Sequence, residues 1–276
     1  MPETPNPPTR RPLRFGAVAP FTTDLPTWTD SLRSLADSGY STVLMPDTPQ
    51  WQPAPGPALA VAGSVTGLRV GTWVYACPVR PPWMTAWEAH SLSVLTEGRF
   101  EMGIGTGRPG IADQLRDLGI PVDSSRSRSD QVRDVIVALR ELDGTDRHTP
   151  VVMAVSGPRA QALAAELADT VTFVMPQLET RAETTRRVRQ FDNSRDLELA
   201  LHVPVVGDGV APFMAGPDTD AAAVRAADSL AHLPSDPAAA TDEILRRREE
   251  LGFSHFVLGA DVAGPLAQVV ADLAGK

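Results

Sequence analysis

Two hydrophobic periods alternate along this chain, and the alternation repeats. Short apolar runs of strand character fall at 13–18, 42–45, 69–76, 100–104, 151–155, 170–174, 198–206 and 255–258. They are rich in Val, Thr, Leu and Phe and bounded by Gly, Pro, Asp or Ser, as buried strands are. Between them lie segments with apolar residues three and four apart: 26–38, 58–65, 84–95, 126–142, 159–167, 180–191, 218–233, 237–251 and 265–273. Local punctuation agrees with this reading. Asp24 stands where an N-cap belongs, Gly39 where a helix ends, and Pro158 in a first helical turn.

Eight strands, each followed by helix, demand a parallel sheet, which either closes into a (β/α)8 TIM barrel or stays an open doubly wound sheet. Residues 105–110 read Gly-Thr-Gly-Arg-Pro-Gly and satisfy the glycine pattern of a dinucleotide fingerprint. That match is discounted, because Pro109 sits inside the turn and the motif follows the fourth strand instead of the first. A chain of 276 residues fits one barrel domain, here 13–276 behind an N-terminal tail, 1–12.

Composition narrows the partners. A formal charge of −9 opposes any phosphate-tracking groove, so nucleic acid is set aside. No run approaches the roughly eighteen apolar residues of a membrane span, and the N-terminal stretch lacks an apolar signal core. The single cysteine, Cys77, excludes an internal disulfide and suits a cytoplasmic setting. All but one of the 25 basic residues are arginine, a bias that speaks of genome composition more than of chemistry. The five histidines show no metal-ligand spacing, and only His202, in a strand, stands out.

Four segments in order, 39–47 (GYSTVLMPD), 68–74 (LRVGTWV), 97–107 (EGRFEMGIGTG) and 156–159 (SGPR), resemble the luciferase-like superfamily of FMN- and coenzyme F-420-dependent oxidoreductases. The resemblance runs over nearly the whole chain. It implies a closed barrel with the ligand over the C-terminal ends of the strands. It also implies a reduced coenzyme F-420, or less readily FMN, used to reduce or oxygenate a small organic molecule, in a chain that forms homodimers.

The residues that could carry such chemistry follow. Asp47 ends the second strand and could act as an acid/base or accept a hydrogen bond from a ring. Trp51 could stack on a planar ligand or cover the mouth. Trp73 and Val74 fall where relatives carry a bulge, with a small residue, behind the coenzyme ring; an indole there either stacks on the ring or takes its volume. Gly105, Thr106 and Gly107 let backbone approach a ligand closely. Arg108, where relatives that act on sugar phosphates carry an acid, could clamp a carboxylate or phosphate. Ser156, Gly157 and Pro158 open a helix whose N–H groups suit an anion.

Several positions depart from the resemblance. Thr48 replaces a histidine of deazaflavin relatives, Met175-Pro176-Gln177 replaces a Thr and Lys phosphate anchor, and the connection between 142 and 151 is short where relatives insert a lid. A second expectation is therefore a barrel without redox cofactor, catalysing a cyclisation or isomerisation with Asp47 and Arg108, and a third is a non-catalytic barrel.

Overall fold

A computed structural model describes residues 11–49, 51–108, 110–216 and 218–276. The first ten residues of the expected tail, and Pro109 of the glycine-rich turn, lie outside the described residues.

In chain order the elements are β1 (Arg14–Val18), α1 (Leu25–Asp37), β2 (Thr42–Met45), α2 (Pro55–Val65), β3 (Arg69–Thr72), β4 (Tyr75–Ala76), α3 (Pro82–Leu95), β5 (Phe100–Gly105), α4 (Ile111–Asp117) and α5 (Ser125–Asp143). There follow β6 (Val151–Val155), α6 (Pro158–Leu167), β7 (Thr170–Phe173), α7 (Arg181–Gln190), β8 (Glu198–Val203), β9 (Val205–Val206), β10 (Gly209–Val210), α8 (Ala221–Ala226), β11 (His232–Leu233), α9 (Pro237–Leu251), β12 (Phe253–Gly259) and α10 (Ala267–Leu273). Parallel pairing runs β3-β2-β1-β12-β8-β7-β6-β5-β4, and β3 also pairs with β5, which closes the sheet. With β3 and β4 as two halves of one strand, this is the eight-stranded (β/α)8 barrel. An open sheet leaves two free edges; among the described residues the barrel sheet has none.

The third strand is interrupted by one extra residue. Gly71 pairs with Glu101 and Tyr75 with Ile104, so three residues, 72–74, face two, 102–103. This is a β-bulge, and it contains a cis peptide between Trp73 and Val74. Gly103 is what permits it: a Cβ there would lie 1.9 Å from the Thr72 carbonyl oxygen.

Two sequence expectations need correction. The strand predicted over 198–206 breaks at Pro204, which has no N–H to donate. Beyond it β9 leaves the barrel and pairs with β10 and β11 in a small three-stranded sheet. The helix predicted over 218–233 is only α8; it stops before Asp228, whose φ is +48°, and the chain then extends into β11. A helix missing from the sequence reading, α4, follows the β5 turn.

At its N-terminal end the barrel interior is ionic. Arg14 on β1 reaches across to Glu101 on β5 (2.9 Å) and Glu198 on β8 (2.5 and 2.7 Å), and Arg69 also donates to Glu101. Thr170 donates to Glu198 at 2.8 Å. The arginine holds Glu198 down at about 2 against the opposing effect of burial, and keeps Glu101 low as well. Above this layer sits fully buried His255, whose two ring nitrogens have no hydrogen-bond partner. Burial lowers its pKa to about 4, with Arg14 adding to the effect, so it is neutral although Glu198 lies 4.0 Å away. Among the described residues no helix is long and apolar enough to cross a membrane, and no cluster of His, Cys, Asp or Glu is arranged to hold a metal.

Candidate active site

The C-terminal ends of the strands surround a cavity of about 370 Å³. Its base and walls are Trp73 and Val74 of the bulge, Gly105 at the end of β5, Ala154 on β6 and Thr172 and Phe173 on β7. Its rim carries Asp47, Thr48, Thr106, Gly107, Arg108, Ser156, Gln177, Phe213 and Met214. Most of this surface is apolar, in the manner of small-molecule sites. Two buried hydroxyls on it, Thr48 Oγ1 and Thr172 Oγ1, have no partner within the protein. A buried hydroxyl left unpaired is costly, so each is a donor and acceptor with bonding capacity to spare among the residues that line the cavity.

Eight of the eleven residues singled out in the sequence line this one cavity: Asp47, Trp73, Val74, Gly105, Thr106, Gly107, Arg108 and Ser156. Trp51 stands at its rim, 62% exposed, edge-on to Phe213 at 6.4 Å and under the Arg108 guanidinium at 5.6 Å. Pro158 lines an adjoining cleft together with Ser156, Glu179, Arg186 and Arg187. Gly157 is the N-cap of α6, with open space where a Cβ would be.

Asp47 is committed elsewhere. Its carboxylate, buried, receives both ends of the Arg80 guanidinium fork at 2.8 and 2.9 Å and the Ala76 amide at 3.0 Å. The pair ties the end of β2 to the end of the bulged strand. A carboxylate so engaged positions backbone; it is not a free acid or base beside a substrate. Arg80, outside every motif singled out, is the residue the sequence reading missed here.

Trp73 is also held. Its indole donates from Nε1 to His202 Nδ1 at 3.0 Å, lies nearly parallel to that imidazole, and packs on Val18, Leu44 and Val257. Because indole is a donor only, Nδ1 of His202 is the acceptor and Nε2 carries the proton, donating it to the Met214 carbonyl at 2.9 Å. Desolvation lowers the His202 pKa and keeps it neutral. This pairing anchors the 211–216 segment over the barrel, where it helps cover the site in place of the short connection after α5. Cys77 is buried, and burial pushes its thiol up to about 12, so it is no nucleophile near neutrality. His90 and His148 pair with Asp143 and Asp169 on the outside.

Thr172 was legible in principle. Alternation along 170–174 puts residues 170 and 172 on one side, and Thr170 already points into the barrel. Phe213 and Met214 carried no signal, because they follow a loop that leaves the barrel.

A closed parallel barrel with one apolar, hydroxyl-bearing cavity at its C-terminal mouth is the architecture of barrel enzymes acting on small molecules. The chain matches the luciferase-like monooxygenase model over residues 13–253, and it belongs to that family. A stretch of 69 residues is 39% identical to 4-hydroxyprotoasukamycin monooxygenase of Streptomyces nodosus subsp. asukaensis; it covers 25% of this chain and 18% of that enzyme. Solved structures with the same fold include the coenzyme F420-dependent tetrahydromethanopterin reductase of Methanopyrus kandleri, with a TM-score of 0.72 at 14% identity over 95% of this chain and 99% of that one. An F420-dependent secondary alcohol dehydrogenase gives 0.68 at 17% over 95% and 99%. An EDTA monooxygenase from Chelativorans sp. BNC1 gives 0.72 at 11% over 95% and 92%.

Proposed function

We propose that this protein is an oxidoreductase that takes a reduced deazaflavin, coenzyme F-420, or less readily FMN, and reduces or oxygenates a small organic molecule. The observation that carries this reading is the cavity itself: an apolar pocket at the C-terminal mouth in which Val74, Gly105 and Ala154 lie side by side and whose lining also includes two threonines with unpartnered hydroxyls, Thr48 and Thr172. These residues suit a planar heterocycle. Its flat face needs small side chains and backbone beneath it, and its polar edge needs hydrogen-bonding groups at the side.

When bound, such a coenzyme supplies the hydride or activates oxygen, chemistry that protein side chains cannot perform. The protein's part is orientation. Val74 and Gly105 would back the ring, and Thr172 would meet its polar edge. The N-terminal amides of α6 behind Ser156 would face an anionic tail. Trp73 and the 211–216 segment would keep water from the reacting face. Among the described residues that line the cavity, no free acid or base is present: Asp47 is held by Arg80, and both nitrogens of His202 are engaged. The residues therefore favour redox chemistry done by a coenzyme over the cofactor-free cyclisation, which needs Asp47 as a proton carrier.

The test is a fluorescence titration with F-420 and FMN, each oxidised and reduced, on the wild type and on Thr172→Val. Micromolar binding of one coenzyme, weakened about fivefold to tenfold by loss of one hydroxyl, is the expected result. No binding of either would overturn the reading.

A further inference from the structure

The charges around the cavity do not cancel. Two charged side chains line it, Asp47 and Arg108. Asp47 is neutralised by the buried fork of Arg80. Arg108 has no carboxylate within ion-pair distance among the described residues, and its one hydrogen bond is a long one, 3.4 Å, to Gln114 Oε1. In a chain of formal charge −9, this mouth therefore carries one uncompensated positive charge.

The guanidinium is also held ready. Its carbon lies 5.6 Å from the centre of the Trp51 ring, and Phe213 packs against that indole edge to face, with ring centroids 6.4 Å apart. Contact with an indole face leaves most of a guanidinium's in-plane N–H groups available; here one makes the long bond to Gln114. A carboxylate is the partner whose two oxygens match that fork. The same cavity is lined by apolar Ile111, Phe173, Val174 and Met175.

We infer that the substrate is an organic carboxylate with an apolar body, its anionic end held by Arg108 beside Trp51 and its body against the apolar residues of the cavity. This rests on the reading of the cavity as an active site and adds the substrate class. The net negative charge of the chain opposes the approach of an anion, and the Arg108 cation offsets that at the mouth.

Calorimetric titration with 2-naphthoate and its uncharged isostere 2-naphthamide, without coenzyme, tests it on wild type, Arg108→Gln and Arg108→Lys. Arg108 is exposed, so the variants should keep the wild-type Tm. The wild type should bind naphthoate about tenfold more tightly than naphthamide, the amount a charge-assisted hydrogen bond provides. Arg108→Gln should erase that preference, Arg108→Lys should keep part of it, and raised salt should shrink it. Equal binding of the two probes, binding of neither, or a preference that survives in Arg108→Gln overturns the inference. So does an Arg108→Gln variant that loses coenzyme affinity alone, because the cation would then serve the coenzyme's tail. Since naphthoate is titrated without coenzyme, failure of the coenzyme titration leaves this outcome readable on its own.

Discussion

Replacing Trp73 by alanine should cost the fold about 3 kcal/mol, and replacing it by phenylalanine about 1 kcal/mol. Truncating a fully buried tryptophan costs roughly 3–5 kcal/mol, from lost contact and the void left behind. Trp73 packs on Val18, Leu44 and Val257, but another part of it lines the cavity, which puts it at the low end. Phenylalanine keeps the ring contact and removes the N–H that His202 accepts, worth about 1 kcal/mol beside a cavity that water can enter. Urea denaturation at neutral pH measures both; in a heat scan the alanine variant should melt roughly 6–12 °C lower. Coenzyme affinity should fall in the alanine variant, because the indole is a wall of the site. Unchanged stability, within about 0.5 kcal/mol, would refute the packing account. A gain of coenzyme affinity would mean that the indole fills the ring's volume.

Other consequences are as direct. Asp47→Asn should lower stability by about 3–5 kcal/mol, because it strands the Arg80 cation, yet change the pH profile of turnover little; a lost pH limb would restore Asp47 as an acid/base. Stability should decline as pH falls. His255 is neutral in the folded protein down to about 4 but takes a proton near 6.5 once unfolded, so its contribution is complete above 6.5 and is lost between there and 4, on the order of 3 kcal/mol. Glu198, held at about 2, adds a second loss below 4.5, and His255→Asn should flatten only the upper part. The outer face of α3 exposes Trp83 and Trp87, stacked at 6.3 Å, with Met84, Val94 and Leu95. An apolar stripe of this kind is suited to a contact between copies of the chain. Light scattering should therefore report a dimer, and Trp83→Glu with Trp87→Glu a folded monomer; a wild-type monomer at tens of micromolar would contradict the homodimer.

Much of this was legible in the sequence because strands and helices are set locally. The runs at 42–45 and 151–155 and the helix at 237–251 have the predicted ends, since Pro, Gly, Asp or Ser marks each boundary. Glycines 105 and 107, with Ser156, reach one cavity because barrel topology gathers the ends of all strands on one face. What stayed hidden depends on distant partners. Nothing near Asp47 announces that Arg80, 33 positions on, will occupy it, and nothing near Trp73 announces a histidine 129 positions away. The ionic layer of Arg14, Glu101 and Glu198 was invisible for the same reason: charged residues in strands read as solvent-facing unless the barrel that encloses them is known.

The most direct measurement is a crystal structure of the protein grown with the coenzyme that binds it. The ring is expected against Val74 and Gly105, its polar edge within hydrogen-bond distance of Thr172 Oγ1. A ring bound elsewhere, or a cavity filled only by water at saturating coenzyme, would contradict that placement.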